Sequence, residues 1–377
     1  MTEPSAEFGR QEPNQIIQAV HGRFLITGEY VREDSGVEFY LDPSQQDLKS
    51  KFVSLIQELK VIGFAGVLRR SENGYLLIVS RKPQQNVRRS KKPLILLAAT
   101  LATILADGLI KAFTSPDPLN PHIGTLNAIA IAAIYTAAIF GIISIHEMGH
   151  KVASWYHKMD SSWPYFIPGI PGIWPTMGAV ITARDPPVNR DSLFDLGISG
   201  PVAGLAVTII VSFVAVNTAR LAPANLFPAA QLGTSDYYTS ILLGLFRPGA
   251  SGDVITGTTF TLLYFAYSFG FLLTFINLLP AWQLDGGHIS NAAVSPKLHK
   301  WLTYISVIIM VLIGFYLMAI LILLFAGRAP ALEPLDNVSP LSNKRKLFFA
   351  LTWILAIGIF AFALYNNAFF GLTLLFK

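Results

Sequence analysis

The chain has 377 residues, 52% of them hydrophobic and only 14% charged, against the ~25% charged residues usual in soluble domains. Its formal charge of +5 sits largely in basic residues flanking apolar runs, without a basic stripe carrying interleaved aromatics, so a nucleic-acid partner is not expected and a lipid bilayer is. The absence of cysteine excludes disulfides, thiolate metal ligands and cysteine nucleophiles.

Residues 1–13 are polar and rich in acidic residues and proline. They read as a disordered N-terminus with neither a signal peptide nor a transit peptide. Residues 14–83 read as a small soluble α+β domain of order ββαββ. "RFLITGEYV" and "GVEFYLD" have strand composition, and Leu48, Phe52, Leu55, Ile56 and Leu59 recur at helical spacing. A hairpin follows in "FAGVLRRSENGYLLIVSRK", with Asn73-Gly74 suited to a type I′ turn.

A basic linker at 84–92 continues from Arg81 and Lys82 through Arg88, Arg89, Lys91 and Lys92 into the first long apolar run. The positive-inside rule places this side in the cytoplasm. From there 93–377 reads as a polytopic α-helical membrane domain of about six transmembrane helices, near 93–113, 126–150, 194–217, 258–280, 300–326 and 346–370. Lys344, Arg345 and Lys346 run against the resulting alternation.

Two segments depart from plain spans. Trp163–Pro187 is apolar but rich in proline and glycine, and its "TMGAVITAR" core alternates like a strand. It reads as a membrane-associated, re-entrant β-like segment, tolerable at depth only where protein or a cavity covers its backbone. Ser235–Gly249 reads as a short interfacial helix.

The second span ends in "HEMGH", an H-E-x-x-H pattern. On a helix, His146 and His150 share a face about one turn apart, near enough for one metal ion, and Glu147 stands beside it as a candidate acid/base. The alternative is a hydrogen-bonded histidine cluster, but ionisable residues inside a span point first to function. A catalytic zinc needs a third protein ligand. His157, seven residues beyond His150, does not have the spacing for it. The best candidate is Asp285 in "NLLPAWQLDGGH", where a helix cap or turn is the alternative role.

"HEMGH" on an early span together with "NLLPAWQLDGGH" on a later one resembles the site-2 protease family of intramembrane zinc metalloproteases. "ISGPVAG" (Ile198–Gly204) is similar to that family's small-residue motif on a central helix. With the ββαββ domain, "PYFIPGIPGIWPTMGAVI" and "TSILLGLF", the likeness is to the branch of the plant chloroplast yellow-green/gravitropism-deficient proteases and their prokaryotic relatives.

The resemblance implies one Zn2+ held by His146, His150 and Asp285, with Glu147 as catalytic acid/base, in a catalytic core of about 126–299. Asn277 is a candidate oxyanion donor or a bond to a broken helix end. His288 is a substrate-positioning candidate or a turn residue. Met177, Gly178, Ala179 and Val180 are a candidate strand for β-addition of an unwound substrate, or else part of a passive plug.

The expected substrates are transmembrane proteins. The expected location is a prokaryotic plasma membrane with the N-terminal domain cytoplasmic, and the sequence fixes no oligomeric state. A divalent-metal transporter or a metal-binding scaffold is the alternative function, although no internal repeat of the kind many transporters carry is found.

Overall fold

The computed structural model describes residues 14–32, 36–82, 91–115, 123–222, 237–249, 253–255, 257–326 and 332–365. The expected disordered segment 1–13 and nearly all of the basic linker lie outside these residues. The chain divides into two compact units.

The first unit combines residues 1–89 with 185–194 and 332–346. Helix α1 (residues 14–21) precedes strands β1 (Ile26–Val31) and β2 (Val37–Leu41), helix α2 (Leu48–Val61), and strands β3 (Phe64–Ser71) and β4 (Gly74–Arg81). The antiparallel sheet has order β1-β2-β4-β3. The predicted apolar face of α2 buries Phe52, Leu55, Ile56 and Leu59 in a core with Phe39, Leu68, Leu77 and Val79.

The β3–β4 turn differs from expectation. Ser71 pairs with Gly74, so the two turn residues are Glu72 and Asn73. Neither has positive φ, which a type I′ turn requires at both positions, and Gly74 instead opens β4 at φ 147°.

Two distant segments complete this unit. Asp336 bridges in parallel to Leu68 and to Asn189. Asp185 receives Lys60 at 2.8 Å and also Lys82, while Asp191 receives Lys49 at 2.6 Å and Arg345 at 2.9 Å.

The second unit comprises 90–184, 195–331 and 347–377. Four helices among the described residues are long and apolar enough to cross a membrane. They are α3 (Lys92–Thr114), α4 (Thr125–Tyr156), α5 (Arg190–Thr218, whose first turn counts with the first unit) and α7 (Thr258–Leu278), with mean hydropathies from 1.6 to 2.3.

Six spans are expected, and among the described residues four meet the length and hydropathy of a span. The fifth expected span is two helices, α9 (Pro296–Leu312) and α10 (Tyr316–Ala326), separated where Gly314 takes φ 87°. A left-handed residue ends a helix, and glycine adopts it without steric cost. The sixth falls on α11 (Asn343–Tyr365) and runs past the described residues.

The re-entrant segment is an antiparallel hairpin of β5 (Tyr165–Ile170) and β6 (Trp174–Val180). The ladder shifts register between Phe166 and Pro168, opposite Met177 and Gly178, and Gly178 takes φ 92° there. The short helix expected between spans is α6 (Tyr237–Phe246), followed by β8 (Asp253–Ile255), which pairs with β7 (Arg220–Ala222). Helix α8 (Asp285–Ala293) follows α7 after a tight loop.

Candidate metal centre

Helix α4 buries one continuous stripe: Ala128, Ala132, Tyr135, Ile139, Ile142, Ile143, His146 and Glu147. The spacing of three to four residues carries the core-facing side of the helix straight into the H-E-x-x-H pattern, so the helix that buries its apolar stripe buries His146 and Glu147 with it and leaves His150 half-buried. Glu147 is only 6% exposed. The helix ends at Tyr156, and Lys158, just past its C-cap His157, takes φ 56°.

The third group arrives from the other end of the unit. Helix α7 stops at Leu278, two residues before Pro280, and the loop turns through Trp282, a non-glycine residue at φ 44°. The Trp282 N–H donates to Thr303 Oγ1 on α9 at 3.1 Å, and its ring stacks on Phe325 of α10 at 5.8 Å. Gly286 and Gly287 have no room for a side chain: a Cβ would lie 2.1 Å from the Leu278 carbonyl oxygen and 2.2 Å from that of Trp282. This tight return presents Asp285 at the first residue of α8.

The ligand atoms converge. His146 Nε2 and His150 Nε2 are 3.2 Å apart, Asp285 Oδ2 is 3.1 Å from His146 Nε2, and Asp285 Oδ1 is 3.3 Å from His150 Nε2. Four-coordinate zinc with bonds of about 2.0–2.1 Å sets neighbouring donors about 3.3 Å apart, so this triangle has the size of one face of a zinc tetrahedron.

Two further observations fit a cation. Buried Asp285 Oδ2 has no hydrogen-bond partner. His150 Nδ1 lies 2.7 Å from the Leu196 carbonyl oxygen, so Nδ1–H donates there and the Nε2 lone pair turns toward the triangle. His146, His150 and Asp285 together can hold one metal ion.

Helix α5 lines the far side with glycines. A Cβ at Gly200 would lie 2.1 Å from His150 Nε2, and one at Gly204 would lie 3.1 Å from His146 Nδ1. The predicted "ISGPVAG" stretch therefore leaves the volume that the two imidazoles occupy. The Leu196 carbonyl had no signal in the sequence, since it is a main-chain group.

The remaining expected residues divide. Asn277, in the last turn of α7, places Nδ2 3.3 Å from His146 Nε2 and so faces the ligands. His288 lies one turn beyond Asp285 on α8, and burial pushes its imidazole down to about 4, leaving it neutral at pH 7. His157 turns elsewhere and meets Asp195 at 2.8 Å. Met177–Val180 lie on β6, with Met177 46% and Val180 52% exposed.

A histidine pair and a buried glutamate stand on a helix of membrane-crossing length, and with a carboxylate from the short helix α8 they form a cluster that could hold a metal ion. Residues 134–321 match the family model described as Peptidase family M50. The chain belongs to this family, that of the site-2 proteases, within the branch of its chloroplast relatives.

Among those relatives, the probable zinc metalloprotease EGY1, chloroplastic, of Arabidopsis thaliana is 28% identical over 66% of this chain and 46% of its own length. Its counterpart in Oryza sativa subsp. japonica is 25% identical over 52% and 34%. The probable zinc metalloprotease EGY2, chloroplastic, of Arabidopsis thaliana is 26% identical over 56% and 38%. The chain thus spans less than half the length of these relatives. No solved structure matches it.

Proposed function

We propose that the chain is an intramembrane zinc metalloendopeptidase that hydrolyses peptide bonds in or near the transmembrane segments of membrane proteins, as in regulated intramembrane proteolysis. The observation that carries this reading is the donor triangle of His146, His150 and Asp285 next to buried Glu147, on an apolar helix of membrane-crossing length. We place the N-terminal domain on the cytoplasmic side of a prokaryotic plasma membrane; the basic run from Arg81 to Lys92 supports the orientation and does not bear on the kind of membrane.

His146, His150 and Asp285 would hold one zinc ion, which when bound would supply Lewis acidity toward a peptide carbonyl and lower the pKa of water. The chain's own groups do the rest. Glu147 takes a proton from the attacking water on its carboxylate and returns it to the leaving amine. Asn277 Nδ2–H, aimed at the same point as the ligands, donates to the oxygen on which charge develops. Neutral His288 offers a hydrogen bond near the same loop. Strand β6 pairs with an unwound substrate segment through Met177–Val180, and the experiments on the hairpin described below test that pairing.

Asp285→Ala removes one donor outright. A lost supporting partner typically costs about 10–100-fold in metal affinity, so a lost ligand is expected to exceed that range. Competitive zinc titration of the purified protein measures it, and affinity within threefold of the parent, about the scatter between contexts, would remove Asp285 from the ligand set. The transporter alternative is not favoured, because the chain's family is a peptidase family.

A further inference from the structure

We propose that Asp107 is a positioning residue that clamps the tip of the β5–β6 hairpin and makes the hairpin a fixed platform for the substrate strand. This rests on the protease reading above and decides between two roles for the hairpin: a platform that stays or a plug that must move.

Asp107 and Lys111 stand one turn apart on α3, a helix of membrane-crossing length. Ionisable residues in such a segment are costly and call for a reason. Asp107 is 0% exposed, and all its bonds are made. Its carboxylate accepts from Lys111 Nζ at 2.6 and 2.7 Å and from the Tyr135 hydroxyl at 2.6 Å. It also accepts from the Gly172 N–H at 2.8 Å, and Gly172 lies in the turn between β5 and β6.

One helical turn earlier, Thr103 Oγ1 accepts from the Gly169 N–H at 3.3 Å and lies 3.3 Å from the Pro175 carbonyl, although its own hydrogen has a nearer acceptor in the Thr100 carbonyl at 2.9 Å. The turn is three residues long, Pro171, Gly172 and Ile173, and a main-chain group it leaves without a ladder partner must at membrane depth be satisfied by protein. The tip is therefore bound to α3 through side chains on one face.

The base is held as well. Lys151, the residue after ligand His150, donates to the Ser161 carbonyl at 2.6 Å and its hydroxyl at 3.0 Å, and lies over the Trp163 ring at 5.7 Å. Ser162 N–H and Oγ bond the main chain of Thr182 across the hairpin, each at 2.9 Å. Trp174 packs on Phe269 of α7 with ring centroids 5.6 Å apart. A plug would have to break the buried Asp107 set each time it moved.

Three measurements on the full-length zinc-loaded protein test this. Asp107→Asn with Lys111→Met keeps an acceptor for Gly172 without leaving an unpaired charge. Asp107→Leu with Lys111→Met removes that acceptor. Replacing a buried pair by apolar residues is commonly tolerated by the fold.

Zinc content is expected to be unchanged in both. Cleavage of a transmembrane substrate is expected to persist in the asparagine variant and to fall by up to about 10²-fold in the leucine variant, as for a misplaced positioning element. Cleavage of a short unstructured peptide should hold in both. A leucine variant that cleaves membrane substrates at the parental rate, or faster, overturns the platform.

Amide exchange at Gly172 gives a readout independent of activity: the clamp is wrong if exchange is equally slow in the leucine variant. Finally, the chain has no native cysteine, so Ile110→Cys and Ile173→Cys, beside the contact, can be bridged by a short reversible cross-linker. A platform cleaves when bridged; a plug stops and recovers on release. If the unbridged parent shows no Glu147-dependent cleavage at all, the protease reading fails first, and amide exchange still decides the clamp.

Discussion

Glu147→Gln is expected to lower peptide cleavage by about 10²–10⁴-fold, the range for loss of a general acid/base, while leaving zinc content unchanged. The separation of the two effects follows from the geometry. The donor triangle is made by His146 Nε2, His150 Nε2 and Asp285, with Glu147 outside it. Glutamine keeps the size of the buried side chain and loses only the ability to hold and return a proton. Zinc stoichiometry and turnover of a transmembrane substrate, measured on the same preparation, check it. A zinc-loaded Glu147→Gln protein that cleaves at the parental rate would remove the proposed mechanism.

Gly200→Ala is expected to lose zinc, although Gly200 carries no ligand. A Cβ there falls 2.1 Å from His150 Nε2, on the coordinating atom itself. The helices cannot shift cheaply to make room, because they already touch at main-chain level: a Cβ at Gly149 would lie 2.4 Å from the Ser199 carbonyl oxygen. His150 must therefore swing away, breaking its Nδ1 bond to Leu196 and opening the triangle. Overpacking adds a stability cost of about 1–3 kcal/mol. Gly244→Ala, on α6 with open space around it, is the matched control and should retain zinc. Parental zinc affinity in Gly200→Ala would show that α5 does not shape the site.

What the sequence made legible is what local pattern controls. The apolar run that ends in "HEMGH" predicted a helix with both histidines on one face, and the alternation of "TMGAVITAR" predicted strand-like backbone where β6 stands. The ββαββ order followed from alternation and helical spacing.

The failures are tertiary or depend on single residues. Gly314 divides a run that is apolar throughout, so hydropathy alone counted one span where two short helices stand. Residues 185–194 and 332–346 join the N-terminal sheet from more than a hundred positions away, through main-chain bridges and ion pairs that no periodicity announces. The turn at Glu72–Asn73 slipped by one residue because Gly74 is needed in the strand at φ 147°. Asp107 and Lys111 were visible as charges in an apolar run, but their partner Gly172 emerges only once the hairpin folds back onto α3.

The central claim is that cleavage depends on a metal held by His146, His150 and Asp285. The most direct measurement follows cleavage of a transmembrane substrate by the purified protein before chelation, after removal of the metal, and after return of one equivalent of zinc. The account predicts that cleavage disappears with the metal and returns with zinc in the parent, while Asp285→Ala gives none at any stage. Cleavage that persists in fully metal-stripped protein would contradict it.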